Sequence, residues 1–223
     1  MTEVTTKALA TSNAPSMDSC KHNHGAIIVE TEIELSSDDE SEYLALPGHI
    51  ISSPYTDATH QLDLCTLTPP FAGFAKALIS MNNIRPDYAT APYQESFNWN
   101  EIAESFSKQA VGDISFFVIV FRSRLKLDAD RDLLGELDKA AHLEAVEAGG
   151  LLKYWFGTPD DNRRNLATCL WRARQDASLG GVGPGHAAAM LAARNMYDEW
   201  LVERLKLTVD ASLGTWSFTP WVD

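Results

Sequence analysis

Cysteine is scarce in this chain of 223 residues, and Cys20, Cys65 and Cys169 are too widely spaced for a disulfide framework. No stretch approaches the roughly 20 apolar residues of a membrane span. The first 21 residues hold neither the apolar core of a signal peptide nor the arginines of a transit peptide. These absences predict a reduced, cytoplasmic protein. Basic charge is also short: 18 Lys and Arg stand against 31 Asp and Glu, a formal net charge of −13. Such a field repels phosphate backbones and anionic lipid surfaces, which disfavours nucleic acid and membranes as partners. It suits a neutral or apolar small-molecule substrate.

What is present divides the chain in three. Residues 1–25 are rich in Thr, Ser, Ala and Asn without periodicity and read as a disordered tail. Residues 26–112 carry sparse signals. Ala26–Leu35 and Gln61–Leu67 alternate as short strands do, Ser36–Glu42 reads as a solvated acidic loop, and Phe71–Met81 and Trp99–Gln109 have helical spacing. This part predicts an extension wrapped on a core, which residues 113–223 supply.

There the pattern sharpens. Ile114–Leu125 is β-branched and aromatic and apolar on both faces, as a central strand is. Asp128 precedes a helix whose stripe Leu134, Leu137, Ala141, Ala145, Ala148 steps by three and four until Gly149-Gly150. Leu151–Phe156 and Asn165–Arg172 read as strands flanking a loop that holds Pro159 and Asp160. Pro184 opens a second helix with Met190, Ala193, Tyr197, Leu201 and Leu205 on one side, and Thr215–Trp221 is the last strand. With right-handed crossovers this order predicts an α+β, ferredoxin-like βαββαβ fold with both helices on one sheet face. The other apolar face of the first strand needs a cover. Either a second copy supplies it, which predicts a homodimer, or the N-terminal extension does.

Candidate functional residues follow from chemistry and position. His186 begins the second helix beside Met190, Ala193 and Tyr197 and suits a general base. His142 follows Asp138 by four residues, so imidazole and carboxylate can meet on an exposed helix flank. Tyr154 can donate its phenol to a substrate oxygen. Arg122, an unexpected charge late in the largely apolar first strand, can hold an enolate or close an ion pair. Trp155, Trp171, Arg172 and Tyr197 can wall a planar ligand, though alternation sends Tyr154 and Trp155 to opposite faces, as it does Trp171 and Arg172. Gly180–Gly185 lacks the strand of a dinucleotide fold and the Lys of a P-loop, and reads as a flap. Cys20, His22 and His24 lack metal-site spacing, and Cys169 reads as a buried small hydrophobe. No cofactor and no metal are expected.

The element order, Trp171 ending the third strand, the glycine loop and His186 together resemble the dimeric α+β barrel superfamily, with its antibiotic-biosynthesis monooxygenase-like domains. That likeness covers Ile114 to Trp221. The segments KYWFGTPDDNRRNLATCLW and SFTPW resemble those of a fungal family of uncharacterised proteins. The superfamily implies cofactor-free oxygenation, aldol-type cyclisation, isomerisation or haem breakdown. The leading expectation is a cofactor-independent cyclase or isomerase acting by acid–base chemistry on an aromatic or polyketide-like substrate. His186 is its base, with Tyr154 or Arg122 at a developing oxyanion. A cofactor-free or haem-linked monooxygenase and a non-catalytic binding dimer stand as alternatives.

Overall fold

A computed structural model of the chain describes residues 45–107 and 112–222. The alternating segment 26–35 and the acidic run 36–42 lie outside the described residues. The N-terminal part is built from short elements. Strands β1 (His49–Ile50) and β2 (Leu62–Asp63) pair antiparallel, and helices α1 (Pro69–Ala77), α2 (Tyr93–Ser96) and α3 (Trp99–Ser107) follow. Pro69 and Pro70 stand in the first turn of α1, where a missing N–H costs nothing. Trp99, Ile102, Ala103 and Phe106 form the buried face of α3 at helical spacing.

The main sheet begins at β3 (Asp113–Leu125). After it come α4 (Arg131–Ala148), β4 (Leu151–Phe156), β5 (Arg164–Trp171), α5 (Arg174–Gly180), α6 (Pro184–Met196), β6 (Tyr197–Asp210) and β7 (Thr215–Pro220). The strands lie in the order β4-β5-β3-β6-β7, with every neighbouring pair antiparallel. Taking β3 as the first of its unit, the first four strands stand in the order second, third, first, fourth. That is the ferredoxin-like arrangement, and β7 adds a fifth strand by folding back on β6. Asp130 caps α4, accepting the Leu133 N–H at 3.0 Å.

The largest departure from the sequence reading is at the second helix, and the strand expected over Gln61–Leu67 shortens to Leu62–Asp63. The second helix does not run on to Leu205: α6 stops at Met196, and Tyr197–Asp210 is a strand paired along β3. So β6, not Thr215–Trp221, is the fourth strand of the unit. Tyr197, Leu201 and Leu205 are four apart, and a step of four returns to one side in a helix and in a strand alike. Pairing decides between them, because the free edge of β3 presents backbone donors and acceptors that need partners.

Alternation along β3 sends its residues to two different layers. Phe116, Val118 and Val120 sink among Phe74, Leu78, Ile102 and Phe106 of the N-terminal segment. Phe74 stacks on Phe116 with ring centroids 3.8 Å apart and planes 17° from parallel. Phe117 and Ile119 face the side of α4. The N-terminal segment is therefore the cover for the second apolar face, and the sheet-face motive for a second copy falls away. The same segment closes the outer edge of β4, where the Tyr154 N–H donates to the Ser52 carbonyl at 2.9 Å. Among the described residues, no helix is long and apolar enough to cross a membrane. Cys169 is a free thiol. Cys65 is disulfide-bonded, which departs from the expectation of an all-reduced chain.

Candidate functional site

Between α4, α6 and the sheet lies a cavity of about 350 Å³. Small side chains keep it open: Ser123, Ala167 and Cys169 on the floor, Gly135, Ala189 and Ala193 on the roof. Larger residues at these places would fill the space between layers that otherwise pack densely.

At its wall Asp138 accepts hydrogen bonds from two phenols. Tyr154 Oη, rising from β4, lies 2.6 Å from Oδ1, and Tyr55 Oη, arriving from the N-terminal segment, lies 2.6 Å from Oδ2. Burial raises the Asp138 carboxyl above its ordinary range, and the two phenol bonds offset part of that. Burial first, and then the neighbouring Asp138 carboxylate, push both phenols up, so both stay protonated donors.

One turn further along α4, His142 is only 4% exposed. Its Nδ1 lies 2.8 Å from Nδ1 of His60, and the two rings stack with centroids 5.0 Å apart. Two ring nitrogens at that distance share one proton, so one imidazole carries Nδ1–H and the other offers a lone pair. Burial above all, then the neighbouring His60 and His186, push His142 down to about 3. Burial likewise lowers His60. The Nε2 of His142 is buried and has no hydrogen-bond partner.

His186 also lines the cavity. Its Nδ1 lies 3.0 Å from Glu144 Oε2, and the same carboxylate accepts the N–H groups of Gly185 and His186 at 2.6 and 2.9 Å. These bonds hold the Glu144 carboxyl below its usual range. The glycine run admits that carboxylate: a Cβ at Gly183 would stand 2.3 Å from its carbon.

Of the residues singled out from sequence, His142, Tyr154, His186 and Tyr197 come together on this cavity. Arg122 does not. It lies on the opposite sheet face, donating to Glu203 at 2.5 Å and to the carbonyls of Ala89 and Ala91 at 2.7 and 2.8 Å. Trp155 faces that side too, edge-on to Tyr88 and Phe97. Trp171 packs in the core against Phe117 and Ala145, and Arg172 is paired with Asp176 at 2.8 Å. Period two explains Arg122 and Trp155, since one step along a strand from a cavity residue crosses the sheet, whereas Trp171 shares the face of Cys169 and fills the core beyond the cavity. The exposed pair expected between Asp138 and His142 is not formed. His142 is buried against His60, and Asp138 is held by the phenols. Tyr55 and His60 escaped the sequence reading because they sit in a Ser-, Thr- and Pro-rich loop with no periodicity to aim them.

Residues 51–220 match the PB2B2.08-like family. The UPF0643 protein PB2B2.08 of Schizosaccharomyces pombe is 37% identical over 175 residues, which cover 72% of this chain and 79% of that one. Among solved structures, Rv0793 from Mycobacterium tuberculosis is similar at 16% identity over 40% of this chain and 92% of its own, with a TM-score of 0.36. SnoaB, a cofactor-independent oxygenase from Streptomyces nogalater, is similar at 10% identity over 40% of this chain and 90% of its own, with a TM-score of 0.35. A dimeric protein of ferredoxin-like fold from Bacteroides fragilis NCTC 9343 is similar at 11% identity over 40% and 93%, with a TM-score of 0.34. With its match over residues 51–220 and a relative at 37% identity, this chain belongs to the PB2B2.08-like family.

Proposed function

We propose that this protein is a cofactor-independent acid–base enzyme acting on a small, largely apolar molecule with an enolisable carbonyl. One observation carries the reading: a desolvated carboxyl, Asp138, is held by two phenols beside a neutral imidazole whose Nε2 is unpartnered, on one cavity wall. Asp138 takes the proton from the carbon next to the carbonyl. With His60 donating its Nδ1–H to His142, the Nε2–H of His142 is free to donate to the enolate oxygen. A neutral imidazole suits that role at neutral pH. Returning the proton at another carbon is isomerisation; attack of the enolate carbon on a second carbonyl is cyclisation. His186, held at Nδ1 by Glu144 and 26% exposed, passes protons between the site and solvent.

The test needs no knowledge of the natural substrate. In D₂O, the protein should catalyse loss of the α-proton NMR signal of bicyclic aryl ketones such as 1-tetralone. Asp138→Asn should slow that exchange by roughly 10²–10⁴-fold, the loss of a positioned base. Aryl ketones that bind yet exchange no faster than in buffer would overturn the proposal.

A further inference from the structure

Among the described residues, two buried side-chain polar atoms without a hydrogen-bond partner belong to residues lining the cavity. One is Nε2 of His142. The other is Oδ1 of Asn165, at the start of β5. Asn165 Nδ2 donates to the Gly157 carbonyl at 2.8 Å, and this settles which way the amide points, because the flipped amide would set two oxygens face to face. Oδ1 can therefore only accept. A buried polar group left unsatisfied is destabilising, a penalty a ligand can lift.

The two atoms belong to opposite ends of the cavity. In the ladders, Asn165 stands beside Ser123, whereas Cys169 stands beside Tyr154, against whose ring His142 packs at 5.4 Å between centroids. From Asn165 to Cys169 is four residues, or about 13 Å of strand. Between them the floor of β5 is Ala167, small and apolar.

We propose that the cavity takes an elongated, mostly apolar ligand with a hydroxyl or N–H at one end, donated to Asn165 Oδ1, and a carbonyl oxygen at the other, held by His142 Nε2. Asn165 is then the specificity-determining residue. It selects molecules that carry a donor remote from the reacting carbonyl and disfavours the corresponding ethers and hydrocarbons. The carbonyl end rests on the acid–base reading above; the donor end stands on Asn165 alone.

Calorimetric titration of the full chain with three 4-acetylbiphenyls tests it: 4′-hydroxy, 4′-methoxy and unsubstituted. The hydroxy compound should bind roughly tenfold more tightly than either of the others. In Asn165→Leu that preference should shrink to less than about twofold. Equal binding of all three by the wild type, no binding of any, or a preference that survives in a folded Asn165→Leu overturns the proposal. Should the variant misfold through loss of its bond to Gly157, the wild-type comparison decides alone. Binding is read here without turnover. A hydroxyl preference without deuterium exchange at the acetyl carbon would sink the acid–base reading and keep this one, and exchange without preference would do the reverse.

Discussion

His142 takes its proton only near pH 3 in the folded chain, against an ordinary value of 6.5. Between those values the unfolded chain binds more protons at this residue than the folded one. Its contribution to stability is therefore whole above pH 6.5 and is lost as the pH falls toward 3. Asp138 acts in the opposite sense, because its folded carboxyl holds a proton to higher pH than the unfolded one. Urea unfolding at pH 7 and pH 4.5 should show that His142→Gln loses less stability on acidification than the wild type. Identical losses would place the titration elsewhere. Lys153 offers a second case. It is 8% exposed in β4, has no ion-pair partner among the described residues, and is pushed down to about 8 by burial alone. Its unfolded counterpart stays charged up to about 10.5, so stability should rise as the pH climbs from 8 to 10.5. Lys153→Met should stabilise the chain at pH 7 by roughly 1–3 kcal/mol, since it removes an unpaired charge from a buried place. A destabilised variant would mean that the ammonium reaches water.

Among the elements, β3, β4 and β5 were legible because they are apolar runs rich in β-branched and aromatic residues, bounded by Gly112, by Gly149-Gly150 or by the Pro159–Asp161 turn. The stripe from Tyr197 to Leu205 satisfied two periods at once, and only the ladder to β3 separates α6 from β6. Helices α1 and α3 of the N-terminal segment were visible as periodicity, but their target was not. Phe74 is fully buried between Phe106 and Phe116. Phe74→Ala should cost about 3–5 kcal/mol, the range for emptying an aromatic site in a core. A cost under about 1 kcal/mol, measured by urea unfolding, would make α1 a peripheral decoration instead of part of the sheet's packing.

For the whole molecule, the cover over the second sheet face sets the assembly. Sedimentation at micromolar concentration should return a mass near 24.6 kDa, because Phe116, Val118 and Val120 already have their partners within one chain. Twice that mass would point to another surface, such as β6 before Leu205, which pairs with β3 but not with β7. The sequence by itself determined the order of the βαββαβ elements up to the second helix, the doubly apolar centre of the sheet and the placing of His142, Tyr154 and His186 on its helices and strands. Those follow from periodicity and turn chemistry, which act between near neighbours. The tertiary structure alone decided that Tyr197–Asp210 is a strand, that Arg122 turns away from the cavity, and that Tyr55 and His60 meet Asp138 and His142. Each of these depends on contacts between residues more than about 70 apart in the chain, and no local pattern encodes a partner at that distance.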